Sequence, residues 1–420
     1  MEDKNNPLPD QENPEEEYSF LQEVIKDEPG SKRWWKKKMP RLAGCGFVIG
    51  IAACIAFAAF YPWAEKLFQN EPEEITIPRD EETKEQEAKA EEETEKETPE
   101  DSYRQMLQSL RAVAQDAGKS MVEIHEAVSG GDWESDAEAR KRSVSGVIVA
   151  DNGRELLILG QIFTAKSGEK LEASFVDGAG CEVTVKSQDK SLGLCIYAVD
   201  RGLVSDSTWS KIRTAALGSS YTVSMGDAAI VLGKPSGYSK AVGYGIIASD
   251  QRDIDIPDGQ NSVLYTDIAG DELGSGVIVN LKGEVIGIVD PATSEEDSGQ
   301  VSGYGISDIK DVIEFLSNGE GVPYAGIFGT DINEEMEAQG MPEGIYVKDV
   351  ETGSPAMEAG IQRGDIITYI GDEKITNMSV YRTTLLGQKE GTKILVKGCR
   401  QGTGGEYVDI EFDMTVGTNK

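Results

Sequence analysis

The chain has 420 residues, which gives room for two or three domains, and 39% of them are hydrophobic, enough for ordinary cores. Its net charge of −34 argues against nucleic-acid binding. The five cysteines have no metal-type spacing, so isolated buried thiols are predicted at Cys181, Cys195 and Cys399, with a Cys181–Cys195 disulfide as the alternative. Neither a metal nor a cofactor is expected.

The N-terminal part has the pattern of a membrane anchor. Residues 1–41 form an acidic, proline-rich tail that ends in a basic cluster, SKRWWKKKMPR, and this tail is predicted to be disordered. Residues 42–63 are an uncharged apolar run, long enough to cross a bilayer as a helix of about 20 residues. Because basic residues precede this run and acidic residues follow it, the tail is predicted to be cytoplasmic. The sequence therefore predicts a single-pass cell-membrane protein whose remaining domains are extracytoplasmic.

Two further boundaries follow along the chain. Residues 64–102 are rich in Glu and Lys and are predicted to be a solvated acidic linker, with a single exposed helix as the alternative. From residue 103 to 317, short β-like runs alternate with Gly and Asp/Asn turns, which predicts a mainly β barrel or sandwich. After the linker-like SNGEGVPYAG, a last domain is predicted at residues 323–420.

The stretch Val263 to Asp290 contains two β-rich runs separated by a Gly-rich loop, and the second run folds at Lys282-Gly283 into a hairpin. The residues of this hairpin that form a recognisable pattern are Asn280, Leu281, Gly283, Glu284, Val285, Ile286, Gly287 and Ile288. With them, the stretch resembles the nucleophile region of the HtrA/Deg-type, trypsin-like serine endopeptidases, of the membrane-anchored Gram-positive kind. The resemblance implies a chymotrypsin-like double β-barrel.

The loop GDELGSG differs from the family's form of this loop, and two registers are open. Without a gap, Gly274 stands where the family has its nucleophilic serine. With a one-residue deletion after the serine, Ser275 becomes the nucleophile instead. The two acidic residues of the loop would also oppose a developing negative charge in an oxyanion hole.

The family's histidine and aspartate positions are substituted as well. Gln161-Ile162 occupy the place of the His, and neither side chain can act as a general base. Gly193 takes the place of the Asp. The resemblance therefore implies a degenerate triad, with Ile162, Gly193 and Gly274 at the three positions.

Two other titratable residues lie near these positions in the sequence. The single histidine of the chain, His125, lies well before the expected position and is predicted to be a partly exposed strand residue. Asp189, four residues before the substituted Asp position, is predicted to be a solvated turn carboxylate.

The segment from Tyr324 to Val416 resembles the PDZ domain that follows the protease domain in HtrA proteins. Ser354-Pro355-Ala356, Ala359-Gly360 and Gly364-Asp365-Ile366-Ile367 carry this resemblance. It implies that backbone N–H groups of the loop Tyr324-Ala325-Gly326-Ile327 hold the carboxylate of a peptide C-terminus. A helix at residues 377–386 would line the side-chain pocket, and the alternative is that its apolar residues are only PDZ core. The pocket residues are Met378, Tyr381 and Leu385.

The function predicted from this pattern is binding, by an inactive protease-fold protein that acts as a scaffold or in quality control. Its PDZ domain would capture C-termini or extended segments of extracytoplasmic proteins. The resemblance implies a homotrimer. A third interpretation is a regulatory subunit that forms a mixed oligomer with an active paralogue and tunes its activity. The alternative is an active endopeptidase that uses Ser275, with Lys282 or Lys166 in place of the histidine as in Ser-Lys enzymes.

Overall fold

The computed structural model describes residues 74, 76, 99–127, 142–165, 170–294 and 298–420, apart from the side chains of residues 251 and 252. The predicted tail and apolar run, residues 1–63, and most of the predicted linker lie outside these ranges. Within the described part of the chain, every helix is too short or too polar to cross a bilayer.

Helix α1, Pro99–Ala117, precedes the first strand and crosses the linker boundary predicted at residue 102. Acidic residues Glu100 and Asp101 lie in its first turn, where the helix dipole favours negative charge. Its buried face carries Ala114 and Ala117, which join the largest core cluster of the molecule. The helix therefore packs on the β domain, although its sequence has the polarity of a spacer.

Six antiparallel strands form a closed barrel in the order β1-β2-β3-β6-β5-β4. Alternate residues of β3 face two different cores: Leu156 and Ile158 fill one cluster, whereas Leu157 and Leu159 join another. This double burial explains why β3 is a continuous apolar run. The strands are β1 Met121–Glu126, β2 Val144–Asp151, β3 Glu155–Gln161, β4 Leu171–Ser174, β5 Gly180–Asp189 and β6 Leu194–Asp200.

A short helix, α2 Asp206–Trp209, leads towards a second closed barrel with the strand order β10-β11-β12-β9-β8-β7. One core cluster contains Leu157 and Leu159 of the first barrel and Ile230, Leu232 and Val277 of the second, so it joins the two barrels. The elements are β7 Ala228–Lys234, β8 Ala241–Ile256, β9 Gly259–Ala269, β10 Ser275–Val279, β11 Val285–Val289, β12 Gln300–Gly305 and helix α3 Ile306–Ser317. The double β-barrel implied by the resemblance is confirmed.

A five-strand path, β14-β15-β16-β18-β19, forms the sheet of the last domain, with β17 paired to β16 and a separate β13-β20 pair. Helix α6 begins after Asn377, whose side chain caps it by accepting a hydrogen bond from the Val380 amide. The elements are β13 Pro323–Tyr324, β14 Ile327–Asp331, α4 Glu334–Ala338, β15 Ile345–Val350, α5 Pro355–Ala359, β16 Asp365–Ile370, β17 Glu373–Lys374, α6 Met378–Leu386, β18 Lys393–Gln401, β19 Tyr407–Thr415 and β20 Gly417–Thr418.

The three described cysteines, Cys181, Cys195 and Cys399, are free thiols, as predicted. Cys195 is buried, whereas Cys181 and Cys399 are partly exposed, so the predicted burial is wrong for these two. Cys45 and Cys54 lie outside the described residues.

Candidate functional site

A cleft of about 720 Å³ is lined by residues of both barrels and contains the three positions that the sequence analysis assigned to the triad. Ile162, Gly193 and Gly274 all contribute to its wall, beside Gln161. The Ile162 amide donates to the Gly193 carbonyl at 2.8 Å, which joins two of these positions directly. The residues that sequence reasoning placed at the triad are therefore brought together in space. Among the described residues that line this cleft, no side chain is an imidazole.

Gly274 is confined by the backbone around it. A Cβ atom at this position would lie 2.7 Å from the Pro235 carbonyl oxygen and 2.8 Å from that of Asp271, closer than real Cβ atoms approach. The Gly274 amide donates to the Asp271 carbonyl at 2.8 Å. A serine does not fit here without movement of the loop, and the amide is already engaged with a neighbouring carbonyl rather than directed at a substrate.

Ser275, the alternative nucleophile, begins strand β10 and is 0% exposed. Its Oγ accepts a hydrogen bond from the Ser145 amide at 2.9 Å. Since Ser145 belongs to β2, the hydroxyl bridges strands of the two barrels. This arrangement gives Ser275 a structural partner and no access to the cleft.

A buried polar cluster beside the cleft was missed by sequence reasoning. Lys234 lies opposite Ser275 in the β10–β7 ladder, and its Nζ donates to the Ser143 carbonyl at 3.1 Å. The hydroxyls of Ser143 and Ser239 both donate to Glu123 Oε1 at 2.5 Å. Burial lowers the pKa of Lys234, while the nearby carboxylates of Glu123 and Asp271 oppose that shift. The available signal was a lysine that ends the apolar strand AAIVLGK.

The two lysines considered as replacement bases are not placed beside Ser275. Lys282 is exposed in the turn beyond Val279, the far end of β10. At about 3.3 Å per residue, that end lies roughly 13 Å from Ser275. Lys166 falls outside the described residues.

His125 is buried, at 2% exposure, so the prediction of a partly exposed strand residue is wrong. Its strand β1 lies between β2 and β4 in the closed barrel, which leaves neither edge open. The ring is held at both nitrogens, by the Ser174 hydroxyl at 2.8 Å from Nε2 and by the Glu126 carbonyl at 2.9 Å from Nδ1. His125 therefore has a complete set of structural partners.

Asp189 is also buried, at 5% exposure, so the prediction of a solvated turn carboxylate is wrong. Its Oδ1 accepts from the Leu192 amide at 2.9 Å. Burial raises the pKa of Asp189 to about 6, although backbone hydrogen bonds and Arg382 act in the opposite direction. The residue lines a small cavity of about 30 Å³ together with Asp258 and Tyr324.

The loop that the resemblance assigned to carboxylate binding does hold a carboxylate. The amides of Ala325 and Gly326 donate to Asp258 Oδ2 at 2.7 and 2.8 Å. The Ile327 amide donates to Oδ1 of the same side chain at 3.0 Å. We call these three amides the carboxylate cradle. The cradle has the geometry that a peptide C-terminus requires, and its occupant is a side chain of the second barrel.

Gly326 shapes the cradle. Its φ of +84° lies in the left-handed region, and a Cβ atom there would be 2.4 Å from the Ser354 Cβ. Only glycine meets both conditions without strain. The glycine between Ala325 and Ile327 is therefore required by the backbone conformation and by the close approach of Ser354.

Asp258 reaches the cradle from the turn between β8 and β9, where its φ is +61°. The Tyr381 hydroxyl donates to its Oδ1 at 2.6 Å, and the Asp258 amide donates to the Ile327 carbonyl at 2.7 Å. Burial raises the pKa of Asp258, and the cradle amides and the Tyr381 hydroxyl partly offset that effect. Sequence reasoning missed this residue because Pro-Asp-Gly resembles an ordinary exposed turn.

The three residues assigned to the peptide pocket are buried in the PDZ core. Met378, Tyr381 and Leu385 are 6%, 1% and 1% exposed and pack in one cluster with Ala325 and Ile327. This burial agrees with the alternative prediction, in which these residues are only PDZ core.

The space between β14 and α6 is narrow as well. The Met378 amide donates to Asp331 Oδ1 at 2.6 Å. The Met378 sulfur would lie 2.7 Å from a Cβ atom at Gly329 of β14. Met378 therefore packs directly against β14 at the start of α6.

Comparisons with known proteins agree with this architecture. A family model described as a trypsin-like peptidase domain matches residues 144–288, and one described as a PDZ domain matches residues 346–400. Together with the two barrels, they define the class as a trypsin-like peptidase domain followed by a PDZ domain.

Curated relatives carry the name Serine protease Do-like HtrA. The one from Lactococcus lactis subsp. cremoris is 25% identical over 282 residues, which cover 61% of this chain and 68% of that protein. The one from Bacillus subtilis is 27% identical over 293 residues, which cover 64% of this chain and 63% of that protein. The matches thus span about two thirds of these relatives' own length. In its domain order, the chain is similar to these HtrA proteins.

A solved structure entitled "HtrA-type protease AlgW with decapeptide" superposes with a TM-score of 0.51 at 17% identity, and covers 74% of this chain and 99% of that chain. At this level of identity, the likeness concerns the fold.

Proposed function

We propose that this chain is an extracytoplasmic peptide-binding protein whose PDZ domain recognises the free carboxylate of C-termini in other extracytoplasmic proteins. The observation that carries the proposal is the carboxylate cradle, in which three consecutive amides converge on one carboxylate at 2.7 to 3.0 Å. Backbone amides arranged in this way select a terminal or side-chain carboxylate rather than a neutral amide.

The protease-like barrels serve as a scaffold in this proposal rather than as a catalyst. Acyl transfer needs a nucleophile, a base and an oxyanion site within hydrogen-bond reach of each other. The cleft offers Ile162, Gly193 and Gly274 at these places, and Ser275 is buried with its Oγ bonded to a backbone amide. The barrels would then present the PDZ domain, as a homotrimer or in a mixed oligomer with an active paralogue.

The proposed location is the outer face of the cell membrane. The apolar run at residues 42–63, with basic residues before it and acidic residues after it, supports a single anchor with a cytoplasmic N-terminus. The acidic linker that follows would hold the domains away from the bilayer.

An active endopeptidase is the second candidate, and one observation favours it. Lys234 is buried beside Ser275, and its lowered pKa is what a lysine general base requires. Against this, Lys234 Nζ is directed at the Ser143 carbonyl and Ser275 Oγ accepts from the Ser145 amide. Activity would therefore require a rearrangement of both side chains.

Casein cleavage by the full chain in mild detergent separates the two candidates. We expect no turnover by the wild type, by Ser275→Ala or by Lys234→Met. Turnover that is lost in both variants would establish a Ser-Lys enzyme and end the scaffold proposal. A parallel binding assay uses a random peptide library with free C-termini and the same library amidated. Binding of the amidated library as strong as that of the free library would contradict carboxylate recognition.

A further inference from the structure

We propose that Asp258 is an internal ligand of the PDZ domain, which occupies the carboxylate cradle and excludes peptide C-termini until the β8–β9 turn withdraws. This assignment rests on the peptide-binding function proposed above, and it concerns the regulation of the same site. The turn belongs to the second barrel and the cradle to the PDZ domain. One domain therefore closes the binding site of the other.

The hydrogen bonds of Asp258 are those that a bound terminal carboxylate would make. Oδ2 accepts from the Ala325 and Gly326 amides, and Oδ1 accepts from the Ile327 amide and the Tyr381 hydroxyl. All four bonds are 3.0 Å or shorter. A peptide carboxylate needs the same amides, so the two ligands cannot be present together.

The backbone of Asp258 also resembles that of a bound peptide C-terminus. Its amide donates to the Ile327 carbonyl at 2.7 Å, so the residue pairs with the start of β14 as the last residue of an added strand would. The positive φ of Asp258 turns the side chain back towards the cradle. Asp and Asn are the residues other than glycine that adopt this conformation most readily. The conformation of the turn thus places the Asp258 carboxylate in the cradle.

A second buried carboxyl group lies close to this contact. Asp189 and Asp258 line the same small cavity. Burial raises the pKa of Asp189, and the negative charge of Asp258 adds to that shift. The charge of Asp258 thus disfavours the ionised form of Asp189.

Several other contacts hold the two domains at this position. Lys348 forms an ion pair with Asp255 of β8 at 2.7 Å, and Arg382 of α6 donates to the Asn261 side chain at 3.2 Å and to the Asp308 carbonyl at 2.9 Å. These contacts lie outside the cradle. They allow the turn to be changed at one residue while the domain contact persists.

With an internal ligand, the apparent affinity for a peptide is the intrinsic affinity multiplied by the fraction of molecules whose cradle is open. If the cradle is closed in about nine molecules of ten, removal of the Asp258 carboxylate tightens peptide binding about tenfold. The same removal exposes the three cradle amides to water, and their hydrogen exchange accelerates.

The experiment compares the full chain in mild detergent as wild type, Asp258→Gly, Asp258→Asn and Asp255→Asn. Glycine permits the positive φ without a side chain, and asparagine keeps the shape and the φ while it removes the charge. Asp255→Asn is the matched control, since it changes an exposed carboxylate of the same hairpin that also contacts the PDZ domain. The readouts are hydrogen exchange at Ala325, Gly326 and Ile327, and binding of the random peptide library with free or amidated C-termini.

We expect exchange at the three amides to be about tenfold faster in Asp258→Gly, and binding of free C-termini to tighten about tenfold, with Asp255→Asn like the wild type. Unchanged exchange in both Asp258 variants, with the fold retained, would overturn the internal-ligand assignment whatever the peptides do. Faster exchange without any peptide binding would leave Asp258 as the occupant and instead overturn the proposed peptide-binding function. Equal effects of Asp255→Asn and Asp258→Gly would overturn the assignment too, because the domain contact, not the cradle, would then control access.

Discussion

The two sites of this chain, the cleft between the barrels and the carboxylate cradle, differ in how their polar groups are engaged. In the cleft, the Gly274 amide donates to Asp271, three residues away in the same loop. In the cradle, the Gly326 amide donates to Asp258, which lies 68 residues earlier and in another domain. The first contact is intrinsic to the loop and survives any movement of domains. The second is broken when one hairpin turn moves.

Under the function proposed above, this is the difference between a catalytic site that has been lost and a binding site that is covered. A lost site has substituted side chains and a backbone that closes on itself. A covered site keeps its backbone donors in a binding geometry and presents them to a replaceable ligand.

The largest effect is expected at the cradle backbone. Gly326→Ala places a Cβ atom 2.4 Å from the Ser354 Cβ at a φ of +84°, so it combines overlap with left-handed strain. We expect a loss of about 2–4 kcal/mol in the free energy of unfolding and no peptide binding. Denaturant unfolding and the peptide assay measure the two effects.

Gly353→Ala is the matched control for this change. Gly353 also has a positive φ, +76°, but no atom lies within 4 Å of the position that a Cβ would take. Only the conformational strain of about 1–2 kcal/mol therefore applies. Equal losses for the two variants would show that packing against Ser354 has no part in shaping the cradle.

Asp189, which lines the cavity beside the cradle, is expected to make stability depend on pH. Its pKa is about 6 in the folded chain against 3.8 in the unfolded chain, so the folded state binds more protons between these values. The contribution of Asp189 to the free energy of unfolding is therefore most favourable at the acidic end. It falls by up to roughly 3 kcal/mol as pH rises from about 4 to about 6. Arg382 and Asp258 are the charged groups that act on this carboxyl.

Asp189→Asn removes this titration and keeps an acceptor for the Leu192 amide. Unfolding free energies of variant and wild type, measured from about pH 4 to about pH 7, should diverge with increasing pH in favour of the variant. Parallel curves would mean that the buried Asp189 carboxyl does not titrate in this range.

A smaller effect is expected at Ser275. Ser275→Ala removes the acceptor of the Ser145 amide in the interior, which costs about 1–3 kcal/mol for an unsatisfied buried donor. Thermal unfolding measures the loss, with the exposed Ser210→Ala as the control. A variant as stable as the wild type would argue that this hydroxyl does not join the barrels.

The smallest effect is expected at the exposed ion pair. Asp255→Asn breaks the contact with Lys348, whose side chain is 39% exposed, and such pairs contribute about 0–1 kcal/mol. A larger change in unfolding free energy would mean that this pair, rather than Asp258, holds the domains together.

Much of the architecture could be predicted from local pattern. The hairpin at Lys282-Gly283 and the capped helix after Asn377 are fixed by residues that are neighbours in sequence. The cradle loop was located by its resemblance to the family's PDZ loop, although the close approach of Ser354 to Gly326 could not be foreseen. The start of α1 was missed, since its buried face consists of small residues such as Ala114 and Ala117 within a polar segment.

The environments of the polar residues near the cleft and the cradle depend on contacts between distant segments. They could not be predicted from local pattern. The burial of His125 follows from closure of the barrel by β2 and β4, and the burial of Asp189 follows from packing beside the PDZ domain. Asp258 has no distinctive local signal, and the only signal of Lys234 is its place at the end of the apolar strand AAIVLGK. Their roles appear only when partners 67 and 91 residues away are in place.

The most direct test of a lost cleft beside a covered cradle is one titration on two proteins. The dissociation constant of free-carboxylate peptides is measured for the full-length wild type and for Asp258→Gly, with casein cleavage followed in the same samples. We predict binding about tenfold tighter in the variant and no cleavage by either protein. Equal dissociation constants, or cleavage that appears when the cradle opens, would contradict the account.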